Sequence, residues 1–139
     1  KIEHAQVPAE YFKSFVLALQ SARIYDRVVV ACLGPVDYPD LGAEMADILL
    51  RLRDIRWVIC ISTYNDLVMV SVRTRNRRGA GQLVEEIIGN RGTAGGHGTM
   101  AGGQIPIGDK DPDRFARQLG QHALKHLRVL PEAAGEPLV

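Results

Sequence analysis

The sequence predicts a single α/β domain in which a mixed β-sheet of about five strands is flanked by helices. Helical and strand-like apolar patterns alternate along the chain, and two neighbouring strand patterns are joined by a two-residue turn. The 139 residues, 46% hydrophobic and 24% charged, suffice for one domain with its own core. We expect an interdomain connector at 1–10, the domain at 11–130 and a tail at 131–139.

Four segments have strand patterns. The β-branched run at 28–33 ends at a Gly-Pro pair, which is typical of a buried strand. Segments 57–64 and 67–73 flank an Asn-Asp turn and predict an antiparallel hairpin. We expect a short edge strand at 104–107, because its proline cannot donate to a ladder.

Four segments have helical spacing. The first is expected to begin at Pro8, with an apolar face that consists of Phe12, Phe15, Val16 and Leu19. The other three are expected over 41–52, over 80–88 and from Asp111 to Leu127.

Bulk properties exclude several classes of protein. The net charge of +1 gives no global attraction to nucleic acid or membrane, and no apolar stretch is long enough to span a bilayer. Cys32 and Cys60 lie in apolar runs without zinc-site spacing, so we expect buried thiols and a reducing, cytoplasmic location. Because the chain starts at Lys1 rather than Met, we expect it to be a piece of a longer protein.

The glycine-rich segment 92–103 carries the most information. It reads GTAGGHGTMAGG, with six glycines in twelve residues. Glycines let backbone amides approach a ligand, and consecutive amides of a loop form an anion-binding concavity. A short helical turn at 99–101 would add a helix N-terminus, and His97 can donate to a phosphate or carry a proton. The alternative is a connecting turn with a structural histidine.

Other phosphate loops fit this segment poorly. A P-loop requires Lys-Ser/Thr after its last glycine, whereas Gly103 is followed by Gln104. Residues 96–101 match G-x-G-x-x-A formally, but they follow a helix and a loop rather than a strand.

Four arginines occur in six residues after the last long strand pattern: Arg73, Arg75, Arg77 and Arg78. Arg73 alternates with Ser71 on a strand face that loses its apolar character, so we expect it to project into a cleft and bind phosphate in bidentate fashion. For the other three, a solvated loop and a phosphate contact both remain open. Arg91, next to the glycine segment, is a weaker candidate.

Other polar side chains have simpler interpretations. Asp37 and Asp40 are expected in turn and N-cap roles, and the alternating aspartates of 109–113 in capping rather than calcium binding. His122 and His126 have helical metal-pair spacing but no evident third ligand, so we predict no metal site.

Two motifs resemble those of a known family. Residues 95–102, GGHGTMAG, resemble the GGH-x-x-A-A-G signature of the DHH-associated C-terminal domain. Residues 70–74, VSVRT, resemble its preceding V-S-x-R-S segment, and one amphipathic helix separates the two in both cases. In element order the resemblance extends from Tyr11 to Leu127.

The resemblance implies a substrate-binding domain for phosphate, a nucleotide or a short oligonucleotide. In DHH phosphoesterases this domain follows a larger N-terminal domain whose Asp and His residues bind two manganese ions. Such proteins include exonucleases, oligoribonucleases that also dephosphorylate a bisphosphate nucleotide, and polyphosphatases. The resemblance thus implies no cofactor in this chain, manganese in the catalytic domain, and that N-terminal DHH domain and a nucleotide or short single-stranded nucleic acid as partners.

By the same resemblance, His97 and Arg73 match the motif residues that lie on phosphate. The predicted phosphate-binding set is Arg73, Gly95, Gly96, His97, Gly98 and Thr99. A weaker set is Ser71, Arg91 and Gly102. We expect no catalytic residue in this chain alone, with His97 contacting the phosphate in the transition state of the full protein.

Two departures from the family pattern matter. Met100 stands where the family usually has alanine, and the chain contains no Asp-His-His motif. Isolated catalysis is therefore not expected. The main alternative is a non-catalytic RNA-binding or dimerisation module, as at the end of alanyl-tRNA synthetases, and a third is a remnant that only binds nucleotides.

Overall fold

The computed structural model describes residues 6–129 and 135–139. In the described chain, seven strands form one mixed sheet with the order β5-β6-β4-β3-β2-β1-β7. The strands are β1 (Ala22–Tyr25), β2 (Val28–Pro35), β3 (Trp57–Tyr64), β4 (Leu67–Thr74), β5 (Thr93–His97), β6 (Met100–Pro106) and β7 (Glu136–Pro137). The helices are α1 (Ala9–Ser21), α2 (Leu41–Leu49), α3 (Ala80–Ile88) and α4 (Pro112–His126). The prediction of an α/β domain with a mixed sheet is confirmed.

The connections follow from local sequence. Strands β2 and β3 are parallel and are joined through α2, whereas the other neighbouring pairs are antiparallel. Tyr64 pairs with Leu67 across the β3–β4 turn, where Asn65 adopts a φ of 53°. Asn tolerates the left-handed conformation that tight hairpin turns require. The predicted hairpin is thereby confirmed.

Each face of the sheet has its own core, because alternate strand residues point to opposite sides. Ile59, Ile61 and Val70 pack with α3 and α4 on one face. Val58 and Cys60 pack with α1 and α2 on the other. The second face also carries Met69, Ser71 and Arg73 of β4, so the predicted site residues of this strand lie on the α2 side of the sheet.

Seven strands are present in the described chain rather than about five. The sequence prediction missed β1, a four-residue strand with the sequence ARIY. It also missed β7, which lies within the predicted tail and pairs with β1 through Arg23↔Pro137 and Ile24↔Glu136. Leu138 packs against the α1–α2 core, so this part of the tail is attached to the sheet.

The glycine-rich segment is a β-hairpin, and its prediction as a loop was wrong. Thr93–His97 pairs with Met100–Pro106, and no helical turn forms at 99–101. The strand predicted at 104–107 is confirmed for 104–106, the end of β6, but β6 lies between β4 and β5 rather than at an edge of the sheet. The glycines are thus part of two strands, β6 and β5, that extend the sheet beyond β4.

The first helix turns part of its expected apolar face outward. Phe15 and Leu19 pack on the α2-side core, but Phe12 and Val16 are 60% and 52% exposed. The buried stripe runs through Ala18 instead. No helix within 6–129 or 135–139 is long and apolar enough to cross a membrane.

Candidate phosphate- and nucleotide-binding site

A cavity of about 440 Å³ opens over strands β4, β6 and β5 on the α2 side of the sheet. Pro39, Asp40 and Ala43, at the start of α2, form one wall. Gln104 of β6 and Thr93 of β5 lie on the far side of the floor. The cavity therefore lies between a helix start and the glycine-rich edge of the sheet.

The cavity floor is a cross-strand row in which two of three side chains are absent. Ser71 pairs with Gly102, and Gly102 pairs with Gly95. A Cβ placed on Gly95 meets no atom within 4 Å, so the space above it is open. Because paired residues project to the same face of a sheet, these glycines expose backbone to the cavity. All three were predicted as site residues, two of them in the weaker set.

The next row along the sheet holds the two residues predicted to contact phosphate. Arg73 pairs with Met100, and Met100 pairs with His97. The three residues thus share one row, with Met100 between the other two. Neither Arg73 nor His97 lines the cavity itself, which ends one row earlier.

Arg73 is buried, with a relative exposure of 9%. Its Nε donates to Asp47 Oδ1 at 2.6 Å, and its Nη1 donates to the Val72 carbonyl oxygen at 3.0 Å. Asp47 belongs to α2, so the ion pair joins the helix to β4 beside the cavity. We expected this guanidinium to project into a cleft and to bind phosphate in bidentate fashion. In the structure it lies beside the cavity and already has an anionic partner, Asp47.

The end of the β5–β6 hairpin contains the other predicted residues. Gly96 has a φ of +115°, and a Cβ there would lie 2.5 Å from the Ala101 Cα. Gly98 adopts a φ of +65° in the turn, where its carbonyl oxygen accepts from Ala80 N–H at 3.3 Å. The Thr99 carbonyl oxygen accepts from Thr74 N–H at 2.9 Å. Gly96 is therefore required by the hairpin, whatever binds beside it.

The structure does not bring Arg91 to this cavity. Its guanidinium donates to the Ile87 and Ile88 carbonyl oxygens at the end of α3 and lies 5.4 Å from the centre of the Phe115 ring. Phe115 belongs to the core on the opposite face of the sheet. Arg91 closes a helix end there.

Sequence reasoning missed several cavity residues. The sequence analysis placed Gln104 in a short strand and used it to exclude a P-loop, but did not predict it as a site residue, although it alternates with Gly102 along β6 and so shares its face. Asp40 lies at the predicted N-cap position, but its side chain makes no capping hydrogen bond. Asp40 is exposed and belongs to the wall at the start of α2, and no lysine or arginine lines the cavity.

Three other titratable side chains, His122, Cys32 and Cys60, do not line the cavity. His122 Nε2 lies 3.0 Å from Glu86 Oε2, which joins α4 to α3. Burial raises the pKa of the Cys60 thiol to about 12, and burial also raises that of the half-buried Cys32. Within the described ranges, no three His, Cys, Asp or Glu side chains are placed to hold a metal ion. The donor set described does not fit manganese.

Fold and site together define a mixed-sheet domain with a glycine-floored cavity beside a buried, ion-paired arginine. A model of the DHHA1 domain family matches residues 26–120, so the chain belongs to the DHHA1 domain family. This confirms the resemblance drawn from the two motifs. An uncharacterized protein of Methanocaldococcus jannaschii is 26% identical over 109 residues, which cover 77% of this chain and 22% of that protein.

Solved structures share the fold. An exopolyphosphatase-related protein from Bacteroides fragilis matches with a TM-score of 0.68 at 12% identity, over 88% of this chain and 36% of that one. RecJ from Thermus thermophilus, in complex with Mg²⁺, matches with a TM-score of 0.59 at 13% identity, over 92% of this chain and 20% of that chain. The C-Ala domain of Aquifex aeolicus alanyl-tRNA synthetase matches with a TM-score of 0.54 at 19% identity, over 74% of this chain and 96% of that domain. The chain thus spans 36% of the length of the exopolyphosphatase-related protein and 20% of the length of RecJ.

Proposed function

We propose that this chain is the substrate-binding domain of a DHH-family phosphoesterase and that it binds a nucleotide or short oligonucleotide at the β4–β6–β5 surface. The observation that carries the proposal is the succession of two rows on one face. The Arg73–Met100–His97 row supplies a cation and a hydrogen-bonding imidazole, and the Ser71–Gly102–Gly95 row supplies an open floor. Membership of the DHHA1 domain family supports the assignment.

The two rows suit different parts of a nucleotide. A phosphate fits the first row, because a guanidinium and a histidine both donate to phosphate oxygens. The cavity suits a neutral group, because its lining has one carboxylate, Asp40, and no basic side chain. A bare peptide floor with Gln104 and Thr93 at its far side fits a flat ring with polar edges. We therefore place the nucleoside in the cavity.

Arg73 would contact the phosphate through the one guanidinium nitrogen that makes no hydrogen bond to the described residues. Among the described residues, hydrogen bonds occupy Nε and Nη1 only, so Nη2 remains for a ligand oxygen. Asp47 fixes the plane of the guanidinium, which lowers the entropy lost when the ligand binds. It also offsets part of the positive charge, so the site favours a phosphate that His97 also contacts.

In the whole protein, this domain would serve an N-terminal DHH domain that carries the manganese ions and performs hydrolysis. The present residues bind and orient the substrate, and the metals of that domain supply the Lewis acid chemistry when bound. We propose that the whole protein is cytoplasmic and that its substrate is a short oligonucleotide, a bisphosphate nucleotide or polyphosphate. Of these, the cationless cavity favours substrates with a nucleoside.

The test is an equilibrium titration of the chain with a dinucleotide and with adenosine bisphosphate. We expect His97→Ala to weaken both by about tenfold or more, since a hydrogen bond to a charged group contributes about 1.5–3 kcal/mol. His126→Ala is the matched control, because His126 is also exposed but lies on α4, behind the opposite face. Equal affinity of wild type and the His97 variant would reject the assignment.

A second candidate is a dimerisation or RNA-binding module. It is favoured by the match to nearly the whole of the C-Ala domain and by the exposed side chains of Phe12, Val16 and Leu17 on α1. Sedimentation of the wild-type chain and of Val16→Asp separates the two functions. A dimer that the substitution dissociates, without loss of nucleotide affinity, supports this module in addition to the site.

A further inference from the structure

Two segments bring six exposed arginines to one end of the sheet. Segment 51–56 follows α2, segment 75–78 follows β4, and together they contain one acidic residue, Asp54. We call these six residues the arginine edge: Arg51, Arg53, Arg56, Arg75, Arg77 and Arg78.

The two segments are joined by direct hydrogen bonds. Arg75 N–H donates to the Arg56 carbonyl oxygen at 3.0 Å, which continues the β3–β4 ladder by one pair. The Arg75 Nε and Nη2 donate to the Leu50 carbonyl oxygen at 3.2 and 2.9 Å. The arginine edge is therefore a fixed arrangement around the end of α2 and not two independent loops.

The positive charges of the arginine edge have no ion-pair partner within the described ranges. The two salt bridges there are Arg73–Asp47 and His122–Glu86, and neither involves an edge residue. Like charges on adjacent strands, such as Arg56 and Arg75, repel each other. A bound polyanion relieves that repulsion. The chain carries a net charge of only +1, so this surface is a local feature of the molecule.

The arginine edge continues the proposed site. Arg75 follows Arg73 by two residues and projects to the same side of the strand, about 7 Å further along. The β5–β6 turn lies against the same end, since Thr74 N–H donates to the Thr99 carbonyl oxygen. An anion that leaves the Arg73–His97 row in this direction meets the arginine edge next.

We propose that the arginine edge binds the sugar–phosphate backbone of a single-stranded nucleic acid whose terminal nucleotide occupies the cavity. This rests on the proposed function of the cavity. Guanidinium groups bind phosphate oxygens by charge and geometry, without reading the base. Trp57, at the start of β3, is half-buried, so stacking adds little. Binding at the edge is therefore independent of sequence and strongly dependent on salt.

The experiment measures the affinity of fluorescent single strands at several salt concentrations. A dinucleotide is compared with an oligonucleotide of about twelve nucleotides. The variant is Arg77→Gln with Arg78→Gln, and the matched control is Arg114→Gln with Arg117→Gln, two exposed arginines of α4. We expect the edge variant to bind the longer strand several-fold more weakly, with a salt slope shallower by about 1.4, since each neutralised phosphate contributes about 0.7. Dinucleotide affinity and the control variant should match wild type.

The outcomes separate the two proposals. If wild type binds the dinucleotide but binds the longer strand no more tightly, or if both double variants lose affinity equally, the arginine edge is not a strand-binding surface. Displacement of the strand by polyglutamate at equal charge concentration also overturns it, because the edge then accepts an acidic polypeptide as readily. If neither ligand binds wild type, the proposed function is wrong and the inference is wrong with it.

Discussion

Arg73 Nε donates to Asp47 Oδ1 at 2.6 Å and thereby joins β4 to α2 at the end of the cavity. The arginine is buried, whereas the aspartate side chain is 63% exposed. The carboxylate can therefore be solvated when a ligand approaches, while the guanidinium stays in place. In the proposed site, this asymmetry would let Arg73 stabilise the fold and also bind a ligand.

Asp47→Asn and Arg73→Ala separate those two roles. Both variants remove the ion pair, but only the second removes the cation from the site. We expect Asp47→Asn to keep or raise nucleotide affinity and to lower the free energy of unfolding by about 1 kcal/mol or less, because the aspartate is mostly exposed. We expect Arg73→Ala to weaken binding by about tenfold or more, since a hydrogen bond to a charged group contributes about 1.5–3 kcal/mol. Titration gives the affinities and urea unfolding, followed by Trp57 fluorescence, the stabilities. Equal losses of affinity in both variants would show that Arg73 acts only through the fold.

Gly95 and Gly96 are adjacent, but the structure assigns them different tasks. A side chain at Gly95 enters open space, so Gly95→Val should fold normally and block nucleotide binding. A side chain at Gly96 meets Ala101 at a φ of +115°, so Gly96→Ala should destabilise the fold by about 1–3 kcal/mol. Thermal unfolding and nucleotide titration on both variants check this. A stable Gly95→Val protein with unchanged affinity for mononucleotides would remove the cavity from the proposal.

Met100 lies between Arg73 and His97 in their row and is 53% exposed. Replacing it with alanine, the residue that the DHH-associated motif usually has there, shortens the side chain that separates the two residues proposed to contact phosphate. We expect Met100→Ala to preserve stability and to bind the nucleotide as tightly as wild type or more tightly. Weaker binding of this variant would indicate that the methionine itself packs on the ligand.

The two thiols should differ in reactivity. Burial raises the pKa of Cys60 to about 12, so at pH 8 about one Cys60 in ten thousand is a thiolate. Cys32 is half-buried, and Arg117 partly opposes the rise in its pKa that burial causes. Alkylation followed by mass spectrometry should modify Cys32 first in the native protein, faster as pH rises, and both cysteines quickly in urea. Rapid native labelling of Cys60 would contradict its buried position.

The sequence predicted the central elements because their patterns are periodic. The β3–β4 hairpin combines a turn pair with strand patterns, and the buried residues of α3 all fall at helical spacing. Strand β5 and the start of β6 escaped prediction, because glycine has a low strand propensity and no side chain to form a pattern. Strand β6 is held by its pairing with β4, a contact distant in sequence, and β5 is held by its pairing with β6.

The shared face of the candidate site residues was predicted in part for the same reason. Alternation along β4 placed Ser71 and Arg73 on one face, and glycine density indicated Gly95 and Gly102. Nothing local to Asp47 distinguishes it from other helix surface carboxylates, and its partner lies 26 residues away. Asp40 and Gln104 likewise join the cavity only when α2 and β6 are packed on the same sheet.

The central claim, that a nucleotide binds the glycine-floored face of the β4–β6–β5 edge, is tested most directly by amide chemical-shift mapping of the chain during titration with a dinucleotide. We expect the largest shifts at Ser71, Gly95, His97 and Gly102, with α4 unaffected. No saturable shifts, or shifts confined to α3 and α4 on the opposite face, would contradict it.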